Sequence, residues 1–223
     1  MSYQRVIASI IGVALLCSCQ SISNISSNNG ELSTLQKSPP RSILVLPPRN
    51  HSTAVDAPYT FLSTISRPLA NRGYYVFPVA VIDRYMKENG VTHPEAMHDV
   101  PRANILEHIG ADAVLYVDIE SWGRTFDFIE SIEMVRSTAR LIDTLTGELL
   151  WDTEIVAEND NSDSESSSFT EMVLNAVVDQ IAGSFFDDTV SLSSFANEKA
   201  IHDTYDGLPP GPYHPDVLSA LDD

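Results

Sequence analysis

Apolar and polar positions follow one another in short, well-punctuated blocks, and the block from residue 113 to 157 is the most clearly specified. Ala113-Val114-Leu115-Tyr116-Val117-Asp118-Ile119 is a compact run of strand formers that fades into alternation at Glu120, the pattern of a central strand. Residues 129–142 and 149–157 read as two further strands, joined through Asp143-Thr144-Leu145-Thr146-Gly147-Glu148 with glycine where the turn needs a positive φ. Val135, Ala139 and Leu141 share one face of the first, and Leu149, Trp151 and Ile155 share one face of the second, so odd residues must stand opposite odd. A three-residue loop, Leu145-Thr146-Gly147, meets that condition. It predicts Leu141 opposite Trp151 and Arg140 opposite Asp152, the latter a cross-strand charge pair.

Upstream, Ser42-Ile43-Leu44-Val45-Leu46 is an apolar strand without alternation, which implies burial on both faces, and Pro47-Pro48 ends it by removing donors and fixing φ. A helix follows, capped by Asp56 with Pro58 in its first turn, burying Phe61, Leu62, Ile65 and Leu69; Pro68 bends its last turns and Gly73 closes it. Tyr74-Tyr75-Val76-Phe77 is a second strand, halted by Pro78. Residues 79–89 form a second helix, and a third opens at Asp99 and Pro101 with Ile105, Leu106 and Ile109 inward.

Downstream, residues 159–168 are Ser, Asp and Glu almost throughout and read as an exposed loop. Residues 169–186 return to helical order, with Phe169, Met172, Val173, Ala176, Val177, Ile181 and Phe185 in one apolar stripe. The Pro-rich run from Leu208 to Pro215 excludes helix and central strand, leaving an extended tail that lies either on its own domain or in a partner's groove. Helices before the hairpin and none within it predict an α/β (α+β) fold, a mixed sheet of about five strands with helices packed mainly on one face. The 223 residues, 43% of them hydrophobic, suit one such domain over 42–195, followed by an acidic Pro-rich tail over 196–223.

The first residues change the picture from a scaffold to a place. Arg5 supplies a positive start and residues 6–16 an apolar run too short for an ordinary membrane span, ending in Leu16-Cys17-Ser18-Cys19. These residues resemble the lipobox of bacterial lipoproteins, with Leu16 three positions before the cut, small Ser18 just before it and Cys19 as the lipid acceptor. A cut before Cys17 would put bulky Leu16 at the scissile bond. The reading is thus a signal peptide over 1–18, then a lipidated N-terminus and flexible Ser/Asn-rich linker over 19–41. Several fatty chains, such as palmitate, on Cys19 anchor a protein durably. By resemblance to the sorting rule of such lipoproteins, Gln20 in place of aspartate implies the outer membrane; that rule does not set which side the domain faces, and the periplasm is the expectation. Maturation at Cys19 leaves no other cysteine, which excludes a disulfide and thiol catalysis.

Charge excludes more. The formal net charge is -18, and from Glu158 onward fourteen acidic residues face a single basic one, Lys199, so nucleic acid is not an expected partner and the acidic third should face away from anionic headgroups. The six histidines (51, 93, 98, 108, 202 and 214) form no paired zinc spacing, and no nucleophile elbow, Walker loop or dinucleotide glycine motif occurs. Neither a metal nor a cofactor beyond the covalent lipid on Cys19 is expected. Asp118 and Glu120 share a strand face at the spacing of a carboxylate pair, but a strand end reaching solvent beside Arg136 or Arg124 accounts for them. Contact surfaces are better marked: Ile132, Met134, Arg136 and Arg140 share the outward face of the first hairpin strand, an apolar patch with a charged margin that is either a partner surface or the seat of a neighbouring helix, and Tyr213 sits in the tail.

Arg49-Asn50 after the Leu-Pro-Pro strand end, Gly73-Tyr74-Tyr75-Val76-Phe77-Pro78, Gly110-Ala111-Asp112-Ala113-Val114-Leu115, the hairpin from Asp143 to Trp151, and Gly211-Pro212-Tyr213-His214-Pro215 together resemble a family of bacterial lipoproteins of unknown function, typified by a meningococcal surface lipoprotein antigen. The resemblance covers roughly residues 42–215. It implies an α/β domain similar to the N-terminal domain of the TolB translocation protein, often dimeric, encoded beside lipoproteins like the CsgG curli-secretion channel. The family has no established activity, so the resemblance transfers no functional residue. The expectation is a non-enzymatic, outer-membrane-anchored accessory or assembly factor of an envelope secretion or transport complex, with a CsgG-like lipoprotein, another envelope protein or a second copy as partner. The alternatives are a carrier or sensor of a small apolar or lipidic ligand held between helices and sheet, and an envelope hydrolase.

Overall fold

The computed structural model describes residue 35 and residues 38–126, 131–159 and 188–220, with the backbone alone at 124–126, 131–132, 159 and 188. Strands β1 (Ser42–Val45), β2 (Arg49–Asn50), β3 (Tyr75–Val76), β4 (Ala113–Phe126), β5 (Ser131–Asp143) and β6 (Leu149–Asn159) form one mixed sheet in the order β3-β1-β4-β5-β6, with β2 also on β4. Pairs β1–β3, β1–β4 and β2–β4 are parallel, and β4–β5–β6 is an antiparallel meander. The Pro47-Pro48 step interrupts the edge of β4 rather than ending it. β1 aligns Ile43 with Ala113, and after the prolines the chain rejoins the same strand with Arg49 opposite Asp118.

Helices α1 (Ala57–Asn71), α2 (Val79–Glu88), α3 (Pro94–His98), α4 (Arg102–His108), α5 (Asp188–His202) and α6 (Pro215–Ser219) complete the described elements. The period of two in the strands divides the interior. Ile43, Val45, Leu115, Val117, Ile119, Val135, Ala139, Leu141 and Ile155 point to one face, where they pack on Phe61, Leu62, Ile65 and Leu69 of α1 and Leu192, Ala196 and Ile201 of α5. Leu44, Leu46 and Val114 point to the other, against Ile82, Met86, Met97 and Ile105 of α2 to α4. The two fifteen-residue helices therefore cover one face along its width. Among the described residues the shorter ones cover the β1–β4 end of the other, and on that face Arg136, Thr138, Arg140, Asp152, Glu154 and Val156 of β5 and β6 are half-buried or exposed.

The hairpin has the predicted register, Leu141 opposite Trp151 and Arg140 opposite Asp152, and Gly147 has φ +79°. Its loop is one residue longer than predicted. The Asp143 N–H donates to the Glu148 carbonyl and the Gly147 N–H to the Asp143 carbonyl, both at 2.9 Å, so the loop is residues 144–147. Parity is restored by a bulge: Ile142 pairs with Leu149 and Leu141 with Trp151, leaving Leu150 as the extra residue, buried beside Trp151. A second bulge at Glu120 shifts the β4–β5 ladder from Ile119 opposite Ser137 to Ser121 opposite Arg136, which turns Trp122 inward.

Other expectations need correction. Asp56 makes no side-chain cap on α1. Asp99 ends the unforeseen α3 instead of opening α4, which starts from Pro101, and Leu106 is 36% exposed rather than inward. Leu35, placed by composition in a free linker, is wholly buried in the larger core. The boundary drawn at residue 195 falls inside α5, whose Ala196 and Ile201, with Leu208 beyond, belong to that core. The Pro-rich tail lies on its own domain: the Gly211 N–H donates to the Arg72 carbonyl (2.8 Å), Tyr213 N–H to Gly73 (3.0 Å), Tyr74 Oη to Pro209 (2.8 Å) and Trp151 Nε1 to Asp206 (2.8 Å). A Cβ on Gly73 would come within 2.3 Å of the His214 nitrogen, so glycine is required for this close approach. The helix expected over 169–186 and the loop from 160 to 168 lie outside the described residues.

Candidate functional site: a cationic cleft beside an open sheet face

The even positions of β4 and β5 place Tyr116 opposite Arg140 and Asp118 opposite Thr138, and β2 sets Arg49 opposite Asp118 from the other side. The carboxylate of Asp118 therefore sits between two guanidinium groups. Arg49 grips it in a fork, Nε donating to Oδ1 at 2.7 Å and Nη2 to Oδ2 at 3.2 Å, while Arg140 Nη2 lies 3.5 Å from Oδ2 and His51 Nε2 lies 3.7 Å from Oδ1. Burial works to raise the Asp118 pKa, but the Arg49 hydrogen bonds and the charges of Arg49, His98 and Arg140 overcome it and hold the carboxyl below its ordinary value. Such a group is a poor proton acceptor near neutral pH. Glu120, two positions along, is the exposed bulge residue, so the carboxylate pair that the spacing allowed and the strand-end reading set aside is not assembled.

Between this charge cluster and α3–α4 the surface opens into a cleft of about 420 Å³, lined by Arg49, His98, Arg102, Tyr116 and Arg140 and floored by Gly147. Arg102 lies against the hairpin loop so closely that a Cβ on Gly147 would meet its Nη1 at 1.8 Å. His98 Nε2 is 2.9 Å from the Pro47 carbonyl and its ring meets Tyr116 edge-on at 5.4 Å. Burial lowers the His98 pKa; the Pro47 hydrogen bond pulls the other way, and the nearby Arg49 and Arg140 add repulsion. These surroundings favour the neutral imidazole, and its buried Nδ1 has no hydrogen-bond partner among the described residues. The cleft lies where a carrier of apolar ligands would need its pocket, between helices and sheet, yet its lining is cationic.

The rest of the outward face follows the predicted geometry in part. Met134, Arg136 and Arg140 share the open face, with Arg136 bonded to Glu154 at 2.9 Å and near Glu158 at 3.8 Å on the diagonal positions of β6. Arg140 and Asp152 stand opposite as predicted, but the ion pair Arg140 makes is with Asp118 on the other neighbour. Ile132 pairs with Thr125 through its backbone; its side chain lies outside the described residues, as does Cys19. Tyr213 belongs to the docked tail, half-exposed and stacked 5.8 Å from the Arg41 guanidinium, rather than to the open face. Among the described residues no three His, Cys, Asp or Glu side chains converge as a metal site would require. His98, Arg102 and Tyr116 escaped the sequence reading, since nothing in residues so dispersed marks them as neighbours. Arg49 did carry a signal, in the Leu-Pro-Pro-Arg-Asn motif.

Comparison with known proteins bears on the whole chain. The family model described as "Putative lipoprotein GNA1162-like" matches residues 31–213. "Putative lipoprotein NMB1124/NMB1162" of Neisseria meningitidis serogroup B is 32% identical over 187 residues, 84% of this chain and 86% of that protein. The crystal structure of lipoprotein GNA1162 from Neisseria meningitidis is 36% identical, with a TM-score of 0.54 over 65% of this chain and 100% of that one. The match from residue 31 to 213 runs through every element from β1 to α5 and takes in the docked tail as far as Tyr213, and the chain belongs to the GNA1162-like lipoprotein family.

Proposed function

We propose that the protein is a lipid-anchored accessory or assembly factor of the bacterial envelope that works by binding other proteins, not by catalysis. Fatty chains on Cys19 hold it at the outer membrane with the domain in the periplasm, as the lipobox and Gln20 suggest. The observation that supports the reading is the uneven cover of the sheet by the described elements. On the face where α2 to α4 stop at β4, the even positions of β5 and β6 form a broad, half-buried strip of mixed apolar and charged character. A strip of that composition, on a rigid ladder rather than a loop, suits association with a second protein. The partner proposed is a CsgG-like secretion lipoprotein or a second copy of this chain.

A photo-crosslinking amino acid at Thr138, in the middle of the strip, tests this in intact cells. Val55, 89% exposed at the entrance to α1, provides the comparison position. The expected result is an adduct at position 138, identified by mass spectrometry as an envelope secretion lipoprotein or as the homodimer, and none at 55. Equal labelling at the two positions, or none at 138, would overturn the assignment of this face.

A further inference from the structure

The cleft beside the open face has a charge opposite to that of the molecule. In a chain with only 13 lysines and arginines and a net charge of -18, three arginines from three separate elements, Arg49 of β2, Arg102 of α4 and Arg140 of β5, line one cleft. One carboxylate, Asp118, answers two of them, and Arg49 already takes both of its oxygens. Arg102 makes no ion pair among the described residues. Glu95 and Asp99 act on Arg49 from the α3 side, but neither comes within ion-pair distance of any of the three. Like charges gathered in this way repel, and an acidic chain has ample carboxylates with which to neutralise them. The cluster is best satisfied by a charge from outside.

The geometry specifies more than sign. Guanidinium forks match the paired oxygens of a carboxylate or phosphate. The Arg102 guanidinium packs against Gly147 of the hairpin turn, a contact that restricts its motion and lowers the entropy cost of using it. A volume of about 420 Å³ is larger than one oxyanion and falls in the range of small-molecule sites. Tyr116, Val100 and Ile142 supply an apolar wall for the remainder of such a molecule. We propose that this cleft binds a small molecule through a phosphate or carboxylate group held between Arg102 and Arg140. The site goes beyond the protein-association reading and does not depend on it: an outcome here leaves the crosslink at Thr138 unaffected.

Calorimetric titration of the detergent-solubilised full chain with phenyl phosphate, benzoate and phenol tests the proposal, because the three share one ring and differ in the anionic group. Binding of phenyl phosphate alone assigns a phosphate ligand, and binding of benzoate, alone or as well, assigns a carboxylate-accepting one. Arg102→Gln, which breaks no ion pair of the described fold, should weaken binding at least tenfold with an unchanged unfolding midpoint. Asp118→Asn should tighten it several-fold by freeing Arg49, a change that a damaged fold cannot imitate. Failure of both anions to bind, phenol binding equally well, or affinity unmoved by Arg102→Gln would overturn the proposal.

Discussion

At the scale of single residues, Asp118 is the group on which the cleft turns. Its side chain is 16% exposed and shared between Arg49 and Arg140, so ionisation is favoured in the folded chain relative to the unfolded one. A carboxyl depressed on folding contributes stability that is present above its unfolded pKa, near 3.9, and is lost as pH falls through the lower folded value. Asp118→Asn should therefore be less stable than the parent by about 2 kcal/mol at pH 7, the scale of a hydrogen-bonded charge. Urea unfolding at a series of pH values should show that difference shrinking below about pH 4 as the parent carboxyl protonates. A gap that stays constant down to pH 2 would assign the effect to packing instead. The carboxylate itself was legible in the sequence, but its companions were not. Spacing along β4 suggested Glu120, whereas β2 and β5, distant in sequence, bring Arg49 and Arg140.

Secondary-structure elements were legible where one residue type served both local pattern and core. The hairpin shows this best: Leu141 and Trp151 share a buried face, so parity dictated the register, and the loop error of one residue was absorbed by the bulge at Leu150, which sets Ile142 opposite Leu149 and leaves the pairs from Leu141 onward as predicted. Helix α5 shows the opposite. Its inner face carries Ser193 and Asn197 beside Leu192 and Ala196, all buried, so polar residues interrupt the apolar periodicity that would mark a core helix, and the pattern predicts none there. They are bonded across the helix pair, where Thr64 Oγ1 of α1 lies 2.8 Å from Ser193 Oγ and Asn197 Nδ2 donates to Thr64 Oγ1 at 2.9 Å, while Asn197 Oδ1 has no hydrogen-bond partner among the described residues. Thr64→Val keeps the shape and removes the shared oxygen, stranding both partners in the core. It should cost about 1–3 kcal/mol in denaturant unfolding, while Thr64→Ser, which keeps the oxygen, should cost under about 1 kcal/mol. A larger loss in Thr64→Ser than in Thr64→Val would show that the methyl group, not the hydroxyl, joins α1 to α5.

For the whole molecule, the anchor and the charge act in opposite directions. A net charge of -18 on the whole chain disfavours anionic headgroups, and no helix among the described residues is long and apolar enough to cross a bilayer. Retention is assigned to the proposed lipid on Cys19. Leu35, buried in the core, marks where the chain is tied to the domain, and the sixteen peptide steps from Cys19 span at most roughly 55 Å, which bounds how far the fold can stand from the bilayer. The docked tail adds nothing to that reach, since its backbone is bonded to residues 72 and 73 of its own domain. In cells fed labelled palmitate, the parent chain should carry label, sediment with membranes, resist a high-salt wash and leave only with detergent. Cys19→Ser should be unlabelled and soluble while keeping the parent's unfolding midpoint, because sulfur is the acceptor and the fold starts beyond it. Salt release of the parent would point to a charged contact instead. A Cys19→Ser chain that still sedimented would move the attachment away from residue 19, and with it the account of how this face of the sheet is presented to its neighbours.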